Sequence, residues 1–108
     1  MANTFKRHTG NAIGTSLTTI YTVPGSVSAT VMIGGVLSNT GAATTYTTVV
    51  TNDGTNDINL IGEDTPLPSG TALSFLDGKV VLQTGDTVKA KSTVGASVDV
   101  HLSIMEIT

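Results

Sequence analysis

The stretch PSGTALSFLDGKVVLQTGDTVKA, from Pro68 to Ala90, predicts the fold class of this chain. It contains short runs rich in apolar and β-branched residues, and glycine-containing turn signals separate them at Asp77-Gly78 and at Thr84-Gly85-Asp86. The Gly78-Lys79 pair does not form a phosphate-binding loop. That motif needs a hydroxyl residue after the lysine and a helix behind it, whereas here a valine and a predicted strand follow. The stretch therefore predicts strands and turns rather than chemistry.

The same pattern extends over the rest of the chain. Turn signals return about every eight to twelve residues, which is the spacing of a sandwich or barrel. Outside the opening stretch, we predict strands at Leu17–Val23, Val27–Asn39, Ala43–Thr51, Ile58–Gly62 and Ser97–Ile107. No stretch keeps a helical period. The sequence predicts an all-β fold, a single β-sandwich of about eight short strands with jelly-roll or Ig-like layout, over residues 13–108.

Two strands have enough alternation to predict which residues share a face. In the last strand Val98, Val100, Leu102 and Ile104 are expected inward, and Asp99, His101 and Ser103 outward. In the strand from Val27, an apolar face of Val27, Ala29, Val31 and Ile33 is expected opposite Ser28 and Thr30. Gly34-Gly35 then predicts a bulge or a close backbone approach.

Composition excludes several classes of protein. Of 108 residues, 39% are hydrophobic, 4% aromatic and 12% charged, and 20 are threonines, which suit a sheet with a polar, weakly charged surface. Such a surface relies little on charge repulsion and suits a protein that assembles. The net charge of −3 and the scattered basic residues argue against nucleic-acid binding. Without cysteine there is no disulfide, thiolate nucleophile or cysteine-ligated metal.

The first twelve residues, MANTFKRHTGNA, show no strand or helix period. We predict an N-terminal arm over residues 1–12 that is free alone and becomes ordered against a neighbouring subunit. Its candidate partner-binding residues are Phe5, Lys6, Arg7 and His8, and the alternative is a solvated terminus. The segment lacks the apolar region of a signal peptide, and no run approaches the roughly 18 apolar residues of a membrane span. We therefore expect a protein made in the cytoplasm, without a membrane partner, that stays there or leaves in a particle.

Candidate chemical sites are few. A catalytic triad needs a histidine near a hydroxyl and a carboxylate, but His8 lies in the arm and His101 faces outward beside Asp99, where an exposed ion pair is expected. The acidic residues Asp53, Asp57, Glu63 and Asp64 could ligate calcium, although Asp53-Gly54 is also a strong turn signal. We expect no enzyme activity and no cofactor, and leave metal binding by the loop Asp53–Asp64 open.

Four pieces of sequence resemble a group of small virion structural proteins of marine cyanophages and related tailed phages. They are IGTS…TTIYTVP (Ile13–Pro24), the following ATV.IGGVLSNT strand, P.PSG.ALSFLDGKVVLQTGD (Pro66–Asp86) and the closing SVDV.LSIMEI strand. The resemblance covers most of the chain apart from Gly41–Glu63. It rests on strands and turns rather than on catalytic residues.

This resemblance implies a non-enzymatic β-sandwich component of a virion, made in the host bacterial cytoplasm. The resemblance does not by itself fix the place in the particle. The leading hypothesis is a capsid decoration or cement protein that binds and stabilises the head lattice, and the alternative is an accessory neck, tail or fibre protein, which could also have a host-receptor-binding role. The implied partners are the major capsid protein or another virion protein, and further copies of the chain in a homo-oligomer, with a trimer favoured.

Overall fold

The computed structural model describes residues 3–76 and 78–108, and these residues form strands without a helix. The strands are β1 (Asn3–Gly10), β2 (Thr18–Thr22), β3 (Ala29–Asn39), β4 (Thr45–Asn52), β5 (Asp57–Asn59), β6 (Thr65–Leu67), β7 (Ala72–Ser74), β8 (Val80–Gln83), β9 (Thr87–Ser92) and β10 (Val98–Ile107). None of the described residues belongs to a helix that could cross a membrane.

The described strands form two antiparallel sheets. Sheet A has the order β1-β10-β3, with β7 and β8 pairing with different parts of β3, and sheet B has the order β2-β9-β4, with β5 and β6 pairing with different parts of β4. Because β5 and β6 share one strand position, as do β7 and β8, these ten segments occupy eight positions. The order is that of a jelly roll, so the predicted all-β sandwich of about eight strands is confirmed.

The space between the sheets is filled by aliphatic side chains and two buried aromatic ones. Both sheets contribute to the core. Its buried members are Ile13, Tyr21, Val23, Val27, Met32, Leu37, Val49, Leu67, Phe75, Leu82, Val88, Ala90, Val98, Val100, Leu102 and Ile104. The inward set predicted for the last strand is confirmed, since all four of those residues are buried.

The structure corrects the prediction of an arm without its own place in the sandwich. Residues 3–10 form β1, which pairs with β10 from Asn3 opposite Ile107 to Gly10 opposite Val100. The segment shows no period-2 hydrophobicity because β1 is an edge strand of sheet A and most of its side chains are exposed. A boundary at residue 12 therefore does not separate this segment from the sheet. That it reaches a neighbouring subunit stays a prediction.

The sequence predicted two opposite faces for β3, and the structure decides which of them is inside. Val27, which precedes the strand, is buried and does not share the outer face of Val31 and Ile33. Thr30 and Met32 point into the sandwich and are fully buried, whereas Val31 is half-buried and Ile33 is 41% exposed on the outside. Period-2 alternation identifies two faces but not which one is inside. Thr30 tolerates burial because its hydroxyl forms a hydrogen bond with the Tyr21 hydroxyl at 2.8 Å.

Both expectations for Gly34-Gly35 are confirmed. The register between β10 and β3 shifts where Ser103 faces Gly34 and Ile104 faces Met32, so Ile33 is the extra residue of a bulge. A Cβ atom on Gly35 would lie 2.3 Å from the Phe75 ring, so this glycine lets the ring pack against the backbone.

Candidate functional site

The four residues predicted to bind a partner alternate between the two faces of β1. Phe5 and Arg7 lie on the outer face of sheet A, and Phe5 is 71% exposed. Lys6 and His8 lie on the inner side, because their register partners on β10 belong to the buried core. The structure therefore divides the predicted cluster into an outward pair and an inward pair.

The inward pair meets a buried carboxylate that the sequence analysis did not identify. Lys6 Nζ lies 2.8 Å from Glu106 Oε1, and the Glu106 side chain is buried while that of Lys6 is half exposed. The Tyr21 hydroxyl donates to Glu106 Oε2 at 2.7 Å, and it therefore accepts the hydrogen bond from the Thr30 hydroxyl. The His8 ring packs on the Tyr21 ring at a centroid distance of 4.5 Å. We call Lys6, His8, Tyr21, Thr30 and Glu106 the rim cluster.

The rim cluster holds its carboxylate in the ionised form. Hydrogen bonds from Lys6 and then from Tyr21 lower the pKa of Glu106, although burial acts in the opposite direction. The pKa of Tyr21 is raised to about 12. Burial is the largest cause, the hydrogen bond with Thr30 acts in the opposite direction, and the Glu106 carboxylate contributes to the rise. At neutral pH the cluster therefore contains a neutral phenol and an ionised carboxylate, an arrangement that binds a cation from β1 rather than one that transfers protons.

One signal in the sequence could have located this carboxylate. Glu106 continues the alternation of Val98, Val100, Leu102 and Ile104, so period 2 places it on the inward face of β10. A charged residue at an inward position needs a partner, because an unpaired buried charge is strongly unfavourable. In the part of the chain that the structure describes, no buried side-chain polar atom lacks a hydrogen-bond partner.

Phe5, one of the outward pair, belongs to an apolar surface that crosses sheet A. Four residues on neighbouring strands are directly paired at one level of the sheet, since Phe5 faces Met105, Met105 faces Val31, and Val31 faces Val81. Phe5 is 71% exposed and Val81 65%, and the other two are half-buried. We call these four residues the apolar band. Contiguous exposed apolar surface of this kind is typical of interaction sites.

At the other end of the same face, an open groove of about 260 Å³ lies beside β1 and β10. It is lined by Thr9, Gly10, Asn11, Val36, Ser38, Asp99, Val100 and His101. Asp99 and His101, both among the described residues, do not form the expected ion pair. The ion pair that the described residues do form joins Lys6 and Glu106, outside this groove. Asp99 Oδ1 instead accepts a hydrogen bond of 2.8 Å from the Ala12 amide. The described residues give neither histidine a hydroxyl partner of the kind that a triad requires.

The acidic loop forms turns. Asp53 Oδ1 accepts hydrogen bonds from the amides of Thr55 and Asn56, and these bonds lower the pKa of Asp53. Gly54 has φ of 95°, as the Asp53-Gly54 turn signal predicted. Among residues 3–76 and 78–108 there is no group of three or more histidine, cysteine or acidic side chains that could hold a metal ion.

The residues of the opening stretch also shape turns. Gly78 and Gly85 have φ of 91° and 90°, a left-handed conformation that a β-branched residue such as valine would tolerate poorly. Asp86 Oδ2 accepts a hydrogen bond from the Gln83 amide at 2.9 Å across the turn, and Lys79 is exposed just before β8. The predicted Asp77-Gly78 turn includes Asp77, which lies outside the described residues.

Comparisons with known proteins support the fold. No protein-family model matches the chain, and no curated protein matches it. A solved structure from Bacillus endospore appendages, which form a novel family of disulfide-linked pili, is similar with a TM-score of 0.51. The sequences are 19% identical, and the match covers 98% of this chain and 85% of that one. A likeness at this identity shows the β-sandwich fold.

Proposed function

We propose that this chain is a non-enzymatic structural subunit of a phage virion, and that it acts as a capsid decoration protein that binds and stabilises the head lattice. The observation that carries the proposal is the apolar band, which offers Phe5, Met105, Val31 and Val81 to a partner across four strands of sheet A. Burial of such residues, rather than charge, would drive association. The sequence resemblance to small virion proteins supports the proposal that this association takes place in a virion.

The partners would be the major capsid protein or another virion protein, together with further copies of the chain, with a trimer favoured. The likeness to a pilus protein supports a second candidate, an accessory neck, tail or fibre protein. A host-receptor-binding role is part of this alternative. The chain contains no cysteine, so it cannot form the disulfide links of those pili through its own side chains.

The test is binding to expanded empty capsids, followed by measurement of capsid melting. We expect the wild-type chain to bind stoichiometrically and to raise the melting temperature. Val81→Asp should weaken binding about tenfold or more, because it places a charge in the apolar band. The matched control is Ile58→Asp, since Ile58 is 50% exposed on β5 of the other sheet.

If both variants lost binding equally, the apolar band would not be the surface that binds the capsid. Antibody labelling of the tail instead of the head on intact virions would contradict the decoration role and support the accessory role.

A further inference from the structure

We propose that β1 is an exchangeable strand, so that in the assembled protein Asn3–Gly10 of one copy pairs with β10 of a second copy and its Lys6 binds the second copy's Glu106. This inference rests on the proposed function, since it takes a second copy of the chain as the neighbour. Three observations support the inference: the contacts that attach β1 to the sandwich, the backbone that connects β1 to it, and the charge of Glu106 that β1 covers.

Strand β1 is attached to the sandwich through a small set of contacts. Most of its side chains are exposed, and half-buried positions occur only at His8 and Gly10 among its described residues. Its principal attachments are the ladder with β10, the Lys6–Glu106 ion pair and the ring contact of His8 with Tyr21. Each of these contacts can be made equally by β1 of another copy, because the sequence and register would be the same.

The backbone next to β1 provides a hinge. Ile13 is buried and fixed to the body, since its amide donates to the Val98 carbonyl and its carbonyl accepts from the Ala96 amide. Any movement of β1 must therefore occur at Asn11 and Ala12. Ala12 has φ of 51°, a left-handed conformation that a residue with a Cβ atom disfavours.

The hinge biases the exchange toward a neighbour. When β1 folds back on its own β10, Ala12 must keep its left-handed conformation, and when the hinge extends, Ala12 can return to an ordinary one. Short hinge loops under strain favour domain swapping for this reason. The strand pairings are equal in the two arrangements, and the hydrogen bond from the Ala12 amide to Asp99 Oδ1 favours the folded-back one. The strain at Ala12, this hydrogen bond and the protein concentration therefore decide between them.

The occupant of the β10 edge is identified by charge and length. With β1 absent, the carboxylate of Glu106 would keep its bond from Tyr21 but lose the cation that lies beside it. A strand that replaces β1 must supply a cation at this level and pair over the eight residues from Asn3 to Gly10. A second copy of β1 meets both requirements.

Cysteines placed on β1 and β10 would report the exchange, because the chain has none of its own. Arg7 and Ser103 are register partners on the outer face, and paired Cα atoms at this spacing suit a disulfide. Chains carrying Arg7→Cys and chains carrying Ser103→Cys, with different tags, are co-expressed, assembled and oxidised. We expect a disulfide between the two kinds of chain. The matched control pairs Arg7→Cys with Lys89→Cys on β9 of the other sheet, and it should give at least about tenfold less product.

The hinge supplies the second measurement. Ala12→Gly removes the cost of the left-handed conformation and should lower the yield of the cross-chain disulfide about fivefold to tenfold. Ala12→Pro cannot adopt φ of 51° and has no amide to donate to Asp99, so both effects should raise that yield. If Ala12→Pro does not fold, the glycine variant still decides, because an unchanged yield in it contradicts the hinge.

The outcomes separate this inference from the proposed function. The exchange is overturned, and the structural role kept, if the wild-type chain binds capsids but the disulfide forms only within single chains that carry both Arg7→Cys and Ser103→Cys. A chain that neither binds capsids nor associates with itself at any concentration overturns both.

Discussion

At the scale of single residues, Glu106 is the most informative position in the protein. It is 3% exposed, yet it carries a charge that Lys6 and Tyr21 satisfy. A buried ion pair contributes little net free energy when formed but is costly to break, since removing one partner leaves a desolvated charge. The rim cluster therefore specifies how β1 and the rim of the sandwich fit together rather than supplying most of the stability.

The hydroxyl of Tyr21 is the part of this cluster that can be removed most cleanly. Tyr21→Phe keeps the ring in the core but takes away one hydrogen bond from Glu106 and one from Thr30. We expect the free energy of unfolding to fall by about 1–3 kcal/mol. The measurement is urea unfolding at neutral pH.

Tyr46→Phe is the matched control, because Tyr46 is 45% exposed and should change stability by no more than about 0.5 kcal/mol. Equal stability of both variants would show that the bonds of Tyr21 to Glu106 and Thr30 contribute nothing measurable.

At the scale of elements, the sequence predicted strands well where one face is apolar and the other polar. Strand β10 has such a pattern, and its inward residues were identified correctly. Strand β3 carries apolar residues on both faces, because Val31 belongs to the apolar band while Met32 belongs to the core. The hydrophobic pattern of one strand could not decide its orientation, since a binding surface and a core attract the same residue types.

Strand β1 was missed for a different reason. Its inward face carries Lys6 and His8, whose partners lie on other strands, Glu106 on β10 and Tyr21 on β2. Local periodicity contains no information about such pairs. The rim cluster could be foreseen only in part, from the inward position of Glu106.

The close approach of β3 to Phe75 leads to a prediction at this scale. A Cβ atom on Gly35 would meet the Phe75 ring at 2.3 Å, and the buried ring has little room to move. We expect Gly35→Ala to lower the free energy of unfolding by about 1–3 kcal/mol. Thermal or urea unfolding measures the change.

The neighbouring glycine is the control. A Cβ atom on Gly34 would find its nearest neighbour at 3.9 Å, in Ser103, so Gly34→Ala should be far milder. Equal stability of the two variants would contradict the prediction, because it would mean that the Phe75 ring repacks around the new methyl group without loss of free energy. A double variant with Phe75→Leu should lose less stability than the sum of the two single changes, because both act on one contact.

At the scale of the whole molecule, the apolar band and the rim cluster share β1 and β10. Phe5 and Met105 present the apolar band outward, while Lys6 and Glu106 close the rim inward on the same two strands. A change in how β1 is seated would therefore alter the band as well. If the chain assembles as proposed, this shared strand pair would link assembly to the ionisation of Glu106.

The buried carboxylate of Glu106 makes the stability of the whole molecule depend on pH. The pKa of Glu106 is lower in the folded chain than its ordinary value, so the folded state favours the ionised form. The resulting stabilisation is fully present above the unfolded pKa of about 4.3 and is lost as pH falls through the folded pKa. Asp53 acts in the same direction, because its turn also lowers its pKa. We expect the melting temperature to fall steeply below about pH 4.

Glu106→Gln separates the two carboxylates. This variant should be less stable than the wild type at pH 7, because Lys6 loses its counter-charge. The difference between their melting temperatures should narrow as pH falls, since the wild-type carboxylate is then protonated. The part of the fall in melting temperature with pH that is due to Asp53 should remain in both proteins. Asp53→Asn is the complementary control, and its melting temperature should still show the fall with pH that is due to Glu106. A difference between wild type and Glu106→Gln that is constant from pH 7 to pH 3 would contradict the assignment of an ionised carboxylate to the rim of the sandwich.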